Sequence, residues 1–177
     1  MQAFIVCIIL TTCYLLFGCG LQKYISIGHH VTPTNAMAPT IRAGDHFTSA
    51  GIRDNDVDPI QRFDIVVFKP PVNEKLRISE DTRFVFRVIG LSGEKIEIKK
   101  GVVYINDAPL DETAFEKVSE TESFKAVLIP VNEYFLLGDN RPDSMDSKYI
   151  GTIKRNDIDA KVNNIIRKED YDNGKRW

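Results

Sequence analysis

The stretch Lys95-Ile96-Glu97-Ile98-Lys99-Lys100-Gly101-Val102-Val103-Tyr104-Ile105 decides the fold class. Ile96 and Ile98 alternate with charged residues, which is the period of a strand with one buried face. Lys100-Gly101 marks a turn, and the β-branched and aromatic run that follows returns as its hairpin partner. Outward from this hairpin, residues 63–69 read as a strand ended by Pro70-Pro71, because proline cannot donate to a ladder. Residues 84–90 are rich in β-branched and aromatic side chains, and residues 134–137 form a further buried strand closed by Gly138. Helical periodicity of similar quality is missing, and residues 156–167 read as a short terminal helix or strand. The predicted class is mainly β.

A chain of 177 residues is long enough for one domain with a sizeable core. The formal charge is -2, and the 23 basic residues form no run, which argues against nucleic acid as a partner. Cys7, Cys13 and Cys19 all lie near the N-terminus, so the remainder has neither a disulfide framework nor a cysteine metal site. No metal or cofactor is expected.

Residues 1–22 carry no charged side chain and just reach the roughly 20 apolar residues that a membrane helix needs. A permanent anchor is the favoured reading. A cleaved secretory peptide lacks its basic n-region, and a lipoprotein signal at Leu16-Phe17-Gly18-Cys19 has a bulky Phe17. Lys23, by charge counting, would put the following domain on the cytoplasmic side. Residues 23–31 read as a linker, 32–166 as the β domain and 167–177 as a charged, frayed tail. His29 and His30 are adjacent on an extended segment and so point to opposite sides, which disfavours a shared metal.

Four stretches carry the chemistry, and they occur in a telling order. They are Thr34-Asn35-Ala36-Met37-Ala38-Pro39-Thr40; Gly44-Asp45-His46-Phe47; Phe84-Val85-Phe86-Arg87-Val88-Ile89-Gly90-Leu91-Ser92-Gly93; and Gly138-Asp139-Asn140-Arg141-Pro142-Asp143-Ser144-Met145-Asp146-Ser147-Lys148. Together they resemble the bacterial type I signal peptidase family over residues 33–151, with the last stretch the most specific. The resemblance implies a signal-peptidase β domain after one transmembrane helix, a fold related to the self-cleaving domain of SOS-type repressors. It implies a single-pass cell-membrane protein, held in lipid through residues 1–22, with its domain on the extracytoplasmic side. The expected partner is the signal-peptide region of preproteins, or an active signal peptidase.

The family's chemistry uses a serine activated by a lysine, since a hydroxyl needs a base to take its proton. Lysine serves only when apolar burial disfavours its charged form. The resemblance places the nucleophile at Ala36 and the base at Phe86, so both groups are absent. Met37-Ala38-Pro39-Thr40 and Arg87-Val88-Ile89-Gly90 fix both registers without gaps. Phe84, Phe86 and Val88 share one strand face, and a pocket apolar enough for a neutral lysine also accepts a phenyl ring.

The resemblance assigns Thr34 to the oxyanion hole, Ser144 to support of the missing lysine, and Met37 and Pro39 to the substrate side. Asp139, Arg141, Asp146, Arg87 and Lys148 match a bracing lattice. Lys148 stands where arginine is usual, which loses bidentate pairing, and Pro142 is a second departure. This lattice is equally consistent with a network that holds the fold without catalysis. His46 reads as an ordinary loop residue. Two functions remain open: a non-catalytic homologue that binds peptide or peptidase, or an active signal peptidase I, the serine endopeptidase that removes signal peptides from preproteins.

Overall fold

The computed structural model describes residues 27–52, 60–74, 76, 78–119 and 121–177. The expected anchor at 1–22 lies outside the described residues. Among the described residues no helix is long and apolar enough to cross a membrane.

The chain is mainly β, as the alternation predicts. Its strands are β1 (Ile27–Val31), β2 (His46–Gly51), β3 (Ile65–Phe68), β4 (Phe84–Gly90), β5 (Lys95–Lys99), β6 (Val102–Ile105), β7 (Ala108–Pro109), β8 (Phe124–Leu128), β9 (Glu133–Leu137), β10 (Ile153–Lys154) and β11 (Ile158–Ile166). Among the described residues two short α-helices, α1 (Ser147–Ile150) and α2 (Lys168–Asp172), accompany the strands. A seven-stranded sheet runs β1-β2-β11-β3-β4-β9-β10, and a four-stranded sheet runs β7-β6-β5-β8.

The hairpin forms where the sequence places it. Ile98 pairs with Val103 across a turn whose two residues, Lys100 and Gly101, have φ of 49° and 80°. Positive φ at both positions matches the right-handed twist of the strands, and glycine reaches it without a Cβ clash. The same device, Asn106-Asp107 at φ of 50° and 69°, joins β6 to β7.

Two apolar clusters divide the core, and β4 and β9 serve both. Phe86, Val88 and Leu136 belong to one cluster, and Ile89, Phe135 and Leu137 to the other. A strand buried on both faces reads as a continuous apolar run rather than an alternation, as 84–90 does.

Three boundaries differ from expectation. Residues 27–31 are not linker but an edge strand, with His30 opposite Phe47. Of the two readings for residues 156–167 the strand is the one found, over residues 158–166, but it lies inside the sheet between β2 and β3, with a bulge between Val162 and Asn164. The tail folds back as α2, where Tyr171 stacks on His46 at 3.6 Å. His46 is therefore a strand residue, hydrogen-bonded to His29 at 2.9 Å, and not part of a loop. As expected, His29 and His30 face opposite ways: His30 stacks on Phe47 and bonds Ser49 at 2.9 Å.

Candidate active site

The turn carrying Ala36 is held from beneath by its own apolar residues. Met37 and Ile41 are buried in the core, and Ile41 N–H donates to the Met37 carbonyl at 2.9 Å. The turn closes when Ala38 N–H donates to the Asn35 carbonyl at 2.9 Å, and the Ala38-Pro39 peptide is cis. From the side, Asn140 donates through its backbone to the Ala36 carbonyl and through Nδ2 to the Asn35 carbonyl, both at 3.1 Å.

Gly138 makes this contact possible. A Cβ there would meet the Ala36 carbonyl and the Ser144 Cβ, each at 2.5 Å. The glycine thus lets the backbone of residue 36 and Ser144 both close on residue 138, joining stretches about a hundred residues apart in sequence.

A cleft of about 890 Å³ opens over this junction. Thr34, Ala36, Met37, Phe86 and Ser144, drawn from three of the quoted stretches, all line it. Pro39, expected on the substrate side, stands apart from the cleft wall, and its carbonyl accepts from Arg167 at 3.1 Å. Phe86 is 3% exposed and packs against Phe68 and Phe84, with ring centroids 5.8 and 5.7 Å away. Among the described residues no lysine lines the cleft. Ser144 Oγ donates to Asp146 instead.

The polar residues expected to brace the site fall into two sets, Arg87 with Asp139 and, around the turn after Gly138, Arg141, Asp146 and Lys148. Arg87 forks onto Asp139 at 2.8 and 2.6 Å, donates to the Phe63 carbonyl at 2.9 Å, and lies 4.0 Å from the Phe115 ring centre. Thr40 Oγ1 also donates to Asp139, tying the Ala36 turn to β4. Arg141 donates to the Gly138 carbonyl at 3.0 Å and pairs with Glu112, which also receives Lys117. Asp146 caps α1, accepting the Lys148 N–H at 3.1 Å and the Gly138 N–H at 3.3 Å. Burial pushes the Asp146 carboxyl above the usual carboxylate range, against the hydrogen bonds from Ser144 and the charge of Lys148. Lys148 Nζ donates to the Arg141 carbonyl at 3.0 Å.

Sequence reasoning missed three supports. Arg167 donates to the Thr40 and Pro39 carbonyls at 3.1 Å each and pairs with Asp45 at 2.7 Å. Asp45 sits in a quoted stretch but received no role. Burial alone would raise its carboxyl, yet the Arg42 and Lys168 N–H groups and Arg167 hold it below the usual range. Glu112, the buried partner of Arg141, had no local signal. Among the described residues, no buried side-chain nitrogen or oxygen lacks a partner.

The family profile described as Signal peptidase, peptidase S26 matches residues 2–166. The chain belongs to this family. Within it, the chain is 32% identical over 141 residues to the probable signal peptidase I-2 of a Synechocystis strain, covering 80% of this chain and 63% of that protein. It is 33% identical over 147 residues to signal peptidase I of Bacillus caldolyticus, covering 76% of each. It is 36% identical over 136 residues to signal peptidase I V of Bacillus subtilis, covering 70% of this chain and 76% of the other. A crystal structure of a signal peptidase I from Enterococcus faecalis is 32% identical, covers 61% of this chain and all of the solved one, and superposes with a TM-score of 0.48. Signal peptidase membership therefore rests on sequence, from nearly the whole chain.

Proposed function

We propose that this chain is a membrane-anchored, non-cleaving homologue of signal peptidase I. Its domain stands on the extracytoplasmic side, where it holds the cleavage region of a preprotein or assembles with an active signal peptidase. The observation that carries this reading is that Ala36 and Phe86 line one cleft. A methyl group cannot attack a carbonyl and a phenyl ring cannot accept a proton, so the serine–lysine route has neither of its partners. Binding needs neither group, because an extended peptide is held by backbone hydrogen bonds and side-chain pockets. Thr34 on the same wall would still present a hydroxyl to a bound carbonyl.

The test is cleavage of a secretory preprotein by the detergent-solubilised chain, beside the double variant Ala36→Ser with Phe86→Lys. The native chain is expected to leave the preprotein intact, and the double variant to cut at the signal-peptide junction. Cleavage by the native chain would overturn the reading. Silence in both, with no preprotein bound, would remove peptide recognition from it.

A further inference from the structure

We propose that Ser144 and Asp146 form a second nucleophilic pair in the cleft, able to take the acyl group of a carboxylic ester whose acyl chain is apolar. This goes beyond the non-cleaving reading, which concerns peptide bonds. The pair has the parts a nucleophile needs: a hydroxyl in the cleft wall, and a carboxylate that accepts its hydrogen bond. That carboxylate is itself oriented by two backbone donors, Gly138 N–H and Lys148 N–H. Asp146 is fully buried, which keeps it poorly hydrated and makes it a stronger base than an exposed carboxylate.

Position supports the same conclusion. A Cβ on Gly138 would meet both the Ala36 carbonyl at 2.5 Å and Ser144 Oγ at 2.9 Å, so only this glycine separates Ser144 from the backbone where the family's nucleophile is expected. Met37, Phe86 and Met145 line the same space and give an apolar chain a place to rest.

The reaction balances with water as the only co-reactant. Ser144 Oγ bonds to the ester carbonyl carbon while its proton passes to Asp146 Oδ2. The carbon–oxygen bond to the alcohol then breaks, and the departing alkoxide takes a proton from a water in the cleft, leaving hydroxide. That hydroxide attacks the acyl-serine; the acid is released as the bond from the acyl carbon to Ser144 Oγ breaks, and Ser144 Oγ takes back the proton held by Asp146. An alkoxide or phenolate leaves more readily than an amine, which needs its own proton donor, so esters are open to this pair where peptides are not.

The full chain in detergent is treated with a fluorophosphonate probe, in which Ser144 Oγ would displace fluoride from phosphorus, and separately with p-nitrophenyl butyrate. The expected result is one adduct, on the peptide that contains Ser144, and none in Ser144→Ala. The native labelling rate should fall on acidification as Asp146 takes a proton. In Asp146→Asn the rate should drop at least about tenfold and lose that pH dependence. No adduct, an adduct elsewhere, or persistent labelling of Ser144→Ala would overturn the proposal. A native rate with no acid limb would remove Asp146 as the base, whether or not Asp146→Asn folds. Preprotein cleavage is read on a different substrate, so either proposal can fail without the other.

Discussion

Phe86 and Arg87 are neighbours on β4, yet they belong to two regions built on opposite terms. Arg87 belongs to the buried polar pairings, forking onto Asp139, which also accepts from Thr40, while Arg141 and Glu112 form a second pair. Phe86 faces the cleft and the apolar cluster, packed among rings. Removing one member of the lattice strands a buried charge, whereas the cleft wall accepts a phenyl or a methyl group without leaving any polar atom unpaired. The lattice is thus tied to folding, while the cleft wall tolerates apolar side chains at residues 36 and 86.

The largest break in this contrast should come from Arg87→Ala. It leaves Asp139 buried without its forked partner, and chemical denaturation should report a loss of about 3–5 kcal/mol. A loss under about 1 kcal/mol would show that the lattice is not what holds the fold. Gly138→Ala should cost less, about 1–3 kcal/mol in the same measurement, because its Cβ must displace either the Ala36 carbonyl or Ser144.

A pH series sharpens the comparison further. The Asp45 carboxyl is held low in the fold, so its contribution is present above the unfolded carboxylate pKa and lost as pH falls through the folded one. Native stability should decline in acid, and Asp45→Asn should flatten part of that decline; an identical acid profile in both would exclude this contribution. The smallest effect belongs to the other region. Ala36→Ser adds one oxygen at a half-buried position on the cleft wall, and thermal unfolding should shift stability by no more than about 0.5 kcal/mol.

Much of the frame was legible because its signals are local. The hairpin 95–105 carries its alternation and its turn residues within eleven positions, and β4 emerges at the expected bounds. β1 reads as linker in the sequence because Gly28 and two histidines give it little β character; its place comes from pairing with β2. β8 escaped notice for a related reason, since as a mostly exposed edge strand it has no buried stripe to mark it. Of the residues that the resemblance named, Thr34, Ala36, Met37, Phe86 and Ser144 line the cleft, whereas Pro39, Arg87, Asp139, Arg141, Asp146 and Lys148 lie outside its lining. Arg167 and Glu112 could not be anticipated, because each acts on a partner far off in sequence and nothing in its own neighbourhood encodes that contact.

By itself, the sequence determined the mainly β class, the family and the absence of serine and lysine at the two quoted positions, since composition, period and motif order are properties of the chain alone. Only the tertiary structure decided that Ala36, Phe86 and Ser144 share one cleft, that Gly138 permits that approach, and that Ser144 turns to Asp146. Such contacts depend on how strands distant in sequence pair and pack, and that is set by burying two apolar clusters at once.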